Sequence, residues 1–147
     1  MKITFALDMS ALKVGERGKT TNSKEEFSRN NKKLLWMLEA LVKCNVLYLE
    51  SHPMTPKLYA SRVRYKQESA SEDWRDIPTI LKDGIGDCED LASWRVAELR
   101  MQGVAAKCYL RWYINAGNGI TLYHVIVRLP DGSLEDPSKK LGMKGRA

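Results

Sequence analysis

What this sequence lacks narrows it first. It has only three cysteines, Cys44, Cys88 and Cys108, an odd number without a CxxC pair. That excludes a disulfide framework or a zinc ribbon as the reading and fits a reducing, intracellular setting. Only two histidines occur, His52 and His124, so imidazole chemistry has few candidates. No run approaches the roughly 18 apolar residues of a membrane span. The short apolar stretch near the start is broken at Asp8 and does not fit a secretory leader. A cytoplasmic protein without membrane contact is expected. Internal repeats, low-complexity tracts and calcium-site motifs are missing too, so neither metal activation nor any cofactor is predicted.

What is present is the composition of an ordinary globular domain. The 147 residues are 44% hydrophobic and 29% charged, enough for one compact domain with its own core. The net charge is +6. Residues 1–33 carry eight basic side chains against four acidic ones, and no acid follows Asp136 in a tail holding Lys139, Lys140, Lys144 and Arg146. A solvated face and a frayed tail explain this most simply. Weak contact of these basic ends with nucleic acid or an acidic protein is the sharper alternative.

The element pattern is α+β. Residues 2–8 suit a short strand or an arm, and 13–23 a loop. Ser23 with Glu26 three residues on is a capping-box signature for a helix over 24–50. Leu34, Leu35, Leu38, Leu41, Val42 and Val46 repeat at helical spacing, and Pro53 and Pro56 lie beyond its end. Residues 57–68 are ambiguous between strand and helix. An irregular approach follows over 69–87, with a helical turn at 77–82. A second long helix is predicted from Cys88 to about Met101, stopped by Gly103. Strand patterns cover 104–114, 120–129 and 133–136, linked by turn signals at 116–119 and 130–132. Helices thus come first and an antiparallel sheet follows.

Chemistry points to Cys88, within Asp83-Gly84-Ile85-Gly86-Asp87-Cys88-Glu89-Asp90. Asp87 is placed to cap the coming helix, which puts Cys88 in its first turn. There the backbone amides have no intrahelical partner and the helix dipole favours thiolate and oxyanion. Asp87, Glu89 and Asp90 oppose a thiolate, so a cationic partner is required. His124 is available for that role. Alternation along the strand puts Leu122, His124 and Ile126 on one face and Tyr123, Val125 and Val127 on the other. Asp136, beyond the turn, is placed to orient and charge-balance the imidazole.

The segments GDCEDLASWRVAELRMQGV and YHVIVRLPDGSLEDP resemble the core of the transglutaminase-like superfamily, which is related to papain-type cysteine peptidases. The resemblance spans about Trp74 to Pro137. It implies a papain/transglutaminase-like core over 74–137 within a single domain, with the nucleophile helix packed on a small antiparallel sheet. It maps the nucleophile to Cys88, the base to His124 and the orienting acid to Asp136. An upstream Trp or Gln often completes the oxyanion site in such enzymes, which makes Trp74 and Gln67 candidates. Residues 1–60 lie outside the likeness, as a helical part of unknown role. Compact stand-alone versions of this kind occur in bacteria and their viruses.

The implied reaction is acyl transfer on a protein or peptide amide through a Cys88 thioester. Water as acceptor makes it a hydrolase, a thiol protease or amidase; an amine makes it a transglutaminase. The rival reading is a catalytically silent member that binds protein or nucleic acid or serves assembly. A metal site built from Cys88, His124, Asp136 and Asp90 ranks lower, because paired ligand spacing is missing. Elsewhere the expectations are structural. Cys44 and Cys108 sit in apolar runs as core thiols. Trp36, Trp94 and Trp112 are core or strand-face residues, Trp74 taken alone is packing, and His52 is a loop residue.

Overall fold

The computed structural model describes residues 2–4, 23–67, 73–114 and 121–144, with side chains over 28–67, 73–113 and 123–144. The expected arm beyond residue 4, the loop over 13–22, the side chains of the Ser23 capping box and the 116–119 hairpin turn lie outside these residues.

The long helix α1 runs Ser23–Ser51, and Pro53 lies in the turn beyond its end. Leu34, Leu38, Leu41 and Val42 recur at three- and four-residue spacing and are buried along one face. Leu35 and Val46 flank that stripe. Asn45, also buried, accepts the Ile77 N–H at 3.0 Å and ties α1 to the next helix.

The ambiguous 57–68 segment resolves into a helical turn at Leu58–Ala60 and a short strand, β2, Arg64–Tyr65. Then come β3 (Asp73–Arg75), α2 (Ile77–Asp83) and β4 (Ile85–Gly86). The helical turn expected at 77–82 is therefore a full helix. Asp76 caps it by accepting from Thr79, and Gly84 closes it at φ +73°, a conformation that favours glycine.

Helix α3 spans Cys88–Met101 and is followed by Gly103 at φ +79°. It is the central element, covered on two sides. Ala92, Val96 and Ala97 pack with α1 and the sheet in one cluster. Leu91 and Trp94 pack with Leu58, Val63, Ile77 and Ile80 in another. Burial of each such Leu, Ile or Val side chain contributes roughly 1.5–3 kcal/mol.

The chain ends in β5 (Lys107–Ile114), β6 (Thr121–Arg128), β7 (Leu134–Glu135) and a short α4 (Pro137–Lys140). These strands form an antiparallel sheet in the order β5-β6-β7. Leu110, Tyr123, Val125 and Val127 belong to the cluster facing α1 and α3. The architecture is mixed α+β, as expected from the sequence.

Three expectations need correcting. Helices do not simply precede the sheet: β1 (Lys2–Thr4) pairs antiparallel with β3, and β2 pairs parallel with β4. Strands of two or three residues are too short to show alternation. Trp36 is not core but 71% exposed, and Cys44 is exposed as well. Both sit on the outer side of α1, where apolar character in the sequence does not match the buried stripe. Cys108 is intermediate in exposure and its Sγ lies 3.9 Å from Ser93 Oγ.

Candidate active site

Cys88 is the first residue of α3, where the sequence placed it. Asp87 caps the helix by accepting from the Asp90 N–H, while Asp90 accepts from the Asp87 N–H. This reciprocal cap fixes the turn and satisfies two first-turn amides. Among the described residues, the Cys88 and Glu89 N–H groups meet no acceptor, leaving two donors for an oxyanion beside the sulfur. Gly86 makes the turn fit, since a Cβ there would come within 3.1 Å of Asp90 Cβ and Leu91 Cδ2.

Asp90 is fully buried and holds more than the cap. It accepts from the Arg75 N–H at 2.7 Å and pairs with the Arg75 guanidinium at 3.3 Å. Arg75 also pairs with Asp83 at 3.1 Å. This arginine, in a segment read as irregular, is the cation that makes the acidic turn tolerable. The sequence offered no signal for it, because its partner lies 15 residues away.

His124 and Asp136 meet as expected, with Nε2 to Oδ2 at 2.9 Å. The other Asp136 oxygen accepts the Lys139 N–H at 3.2 Å, so the same carboxylate caps α4. Asp136 is therefore held by a helix start on one side and holds the imidazole on the other. With Nε2 so occupied, Nδ1 is the ring nitrogen open to a thiol proton.

Cys88 is buried, 9% exposed, and does not bond to the imidazole. Its thiol donates to Glu89 Oε2 at 3.1 Å. Burial pushes the Cys88 thiol well above its ordinary range, and the Glu89 and Asp87 charges push it further. The Val125 backbone N–H works the other way, favouring thiolate. Cys88 and Val125 belong to one core cluster, so the thiol packs on the face of β6 opposite His124. The resting thiol is thus protonated and faces Glu89. Burial also raises the Asp87 carboxyl far above its ordinary value, with Glu89 and Asp90 adding to the effect. Asp90 is pushed up to about 7 by burial, against the opposing pull of the Arg75 amide.

The two oxyanion candidates part company. Trp74 is 2% exposed and packs in the same core cluster as Cys88, Leu34 and Leu38. Gln67 is exposed, just past Lys66, whose N–H donates to Gly86 O at 2.9 Å. The parallel register Tyr65↔Gly86 carries the chain towards the Cys88 turn at that point. On its other side, the Tyr65 N–H donates to Leu141 O at 2.9 Å, just after α4.

Among the described residues, no group of three or more His, Cys, Asp or Glu side chains gathers as a metal site. No described helix is long and apolar enough to cross a membrane. No protein-family model, curated protein or solved structure matches the chain.

Proposed function

We propose that this protein is a cysteine-nucleophile acyl-transfer enzyme with a papain/transglutaminase-like core, acting on amide bonds of a protein or peptide. The observation that carries the reading is the His124–Asp136 bond on β6, the strand whose Val125 shares a core cluster with Cys88. A carboxylate on Nε2 fixes the ring and stabilises its cationic form. A thiol at a helix start, with two amides around it that meet no acceptor among the described residues, is the matching nucleophile.

In the proposed cycle, the Cys88 thiol leaves Glu89 and gives its proton to His124 Nδ1. The thiolate adds to the substrate carbonyl, and the Cys88 and Glu89 amides hold the oxyanion. His124 returns the proton to the departing amine as the C–N bond breaks, leaving a thioester. His124 then takes a proton from water or an acceptor amine as it attacks. Collapse expels the thiolate, which regains the proton, and releases an acid or a new amide. At rest the thiol bonds Glu89 and packs with the inward residues of β6 while His124 lies on the other face of that strand, so the cycle requires one of the two side chains to leave its resting place as substrate binds.

One observation favours a second reading, a catalytically silent member of the same fold: the thiol sits protonated among three buried carboxyls. The rate of Cys88 alkylation by iodoacetamide across pH separates the two, with Cys44 and Cys108 as internal references. The catalytic reading expects Cys88 alkylation to slow at least tenfold at pH 7 on His124→Ala. Identical Cys88 rates in both proteins would sink it and favour the silent reading.

A further inference from the structure

The strand pairing reveals a surface beside His124 that the reaction scheme does not use. Lys107, Tyr109, Arg111 and Tyr113 alternate with Cys108, Leu110 and Trp112 along β5. Leu110 belongs to the inward cluster, with Cys108 and Trp112 packed against it, so the first four side chains point outward. On β6 the inward set is Tyr123, Val125 and Val127, which leaves His124, Ile126 and Arg128 on the other face. Ile126, across from Tyr109, is buried there and His124 is half-buried, so β6 opens to solvent at Arg128 while the open stretch of the face is β5. The register then places Arg111 directly across from His124, and Lys107 directly across from Arg128. Arg128 lies over the Tyr109 ring at 5.6 Å, and both tyrosines are more than a third exposed.

The charge of this face is one-sided. No Asp or Glu occurs between Glu98 and Asp131 in the sequence. Among the described residues, the carboxylate that reaches His124 is Asp136, and it is already engaged. Arg111 and Arg128 with two tyrosines therefore line this side of the sheet without acidic compensation on β5 or β6, while Lys107 at its end lies in the field of Glu39 on α1. Folding alone does not call for that: outward positions of a half-exposed sheet usually mix both signs, and like charges directly opposite are destabilising.

We propose that the outer face of β5 and β6 docks an acidic segment of the substrate polypeptide, with Arg111 and Arg128 as its main anchors. The segment's carboxylates meet the two guanidinium groups, and its backbone and aliphatic parts lie on Tyr109 and Tyr113. This orients the scissile amide beside His124. The term substrate rests on His124 being the catalytic base, but docking itself does not.

The test is binding of a fluorescein-labelled decaglutamate to the Cys88→Ala protein by anisotropy at low salt, against a neutral Gly-Ser decamer and decathymidylate. Decaglutamate should bind at least tenfold more tightly than the neutral peptide, and weaken as salt rises. Arg111→Gln and Arg128→Gln should each weaken it about two- to fivefold. The pair Lys32→Gln with Lys33→Gln, which removes two charges from the exposed side of α1 where each arginine change removes one, should leave it unchanged. Equal loss in the α1 pair would overturn the proposal, because bulk charge would then explain binding. Decathymidylate binding more tightly than decaglutamate would overturn it in favour of a nucleic acid. If decaglutamate binds as expected while Cys88 proves inert in the alkylation experiment, the docking face stands and the catalytic reading falls. Tight decaglutamate binding untouched by either arginine change would reject the face and leave the chemistry standing.

Discussion

At the scale of single residues, Glu89 and Asp136 set opposite conditions on the site. Glu89 accepts the thiol proton and keeps Cys88 neutral. Glu89→Gln removes the charge but keeps an acceptor, so Cys88 should alkylate several-fold faster at pH 7; an unchanged rate would show that burial alone governs the thiol. Asp136 has two separable duties. Asparagine caps a helix about as well as aspartate does, so Asp136→Asn should keep the melting temperature within a degree or two. Asp136→Ala should lose about 1 kcal/mol. Both should abolish the His124 dependence of Cys88 reactivity, read from the pH profile of alkylation. A residue serving only as a cap would leave that profile unmoved in the asparagine variant. Cys88, His124 and Asp136 could be named from sequence because each carries a local signature: a capped helix start after glycines, a histidine in an alternating strand, and an acid after a turn. The Cys88–Glu89 bond had no such signature, since adjacent residues in a helix start make contact only through particular rotamers.

At the scale of elements, the turn from β4 into α3 is the part most sensitive to volume. Gly86→Ala would bring its methyl against Asp90 and Leu91. Shifting them strains the reciprocal cap, at a cost of roughly 1–3 kcal/mol. Denaturant unfolding should show this as a lower midpoint with unchanged slope, and Cys88 alkylation should change with it. α1, α3, β5 and β6 were legible because each is long enough to show its period, although β5 begins at Lys107 and not at the expected 104. β2, β3 and β4 were not, because two or three residues carry no period. They take their form from partners elsewhere: Ile3 for Trp74, and Gly86 for Tyr65. The outward stripe of α1 misled for a related reason. Trp36 and Cys44 are apolar residues on a face that no described element covers, and composition alone does not say which side of a helix is out.

At the scale of the whole molecule, buried acids decide how stability varies with pH. Asp87 and Asp90 are both raised in the folded state, chiefly by burial. A carboxyl with a raised folded pKa binds more protons folded than unfolded. Its stabilising contribution is full below the ordinary carboxylate value near 4 and is lost as pH climbs through the folded value. With Asp90 pushed up to about 7, that loss falls between about pH 4 and 7. Glu39 and Glu135 are lowered: Arg100 leads for Glu39, whereas for Glu135 burial opposes and Arg95 and Tyr59 prevail. Their contributions are lost only below the ordinary range. The protein should therefore melt several degrees higher at pH 5 than at pH 8 in calorimetry. A higher melting point at pH 8 would mean that Arg75 outweighs burial at Asp90. Removing that cation, by Arg75→Ala, should cost about 3–5 kcal/mol and steepen the fall with pH, because a buried carboxylate loses its partner.

The bonds from Asp136 through α4 to Leu141, across to Tyr65 and along to Gly86 lead to Cys88, and the packing of Cys88 with Val125 leads back through His124 to the start. They make a closed linkage of the kind engineers use when a spacing must hold without a strut between the two points. In a closed linkage no joint moves alone. The gap between sulfur and carboxylate is set by the circumference of the ring, and cutting or loosening a distant member such as the Tyr65–Leu141 joint would be felt at Cys88.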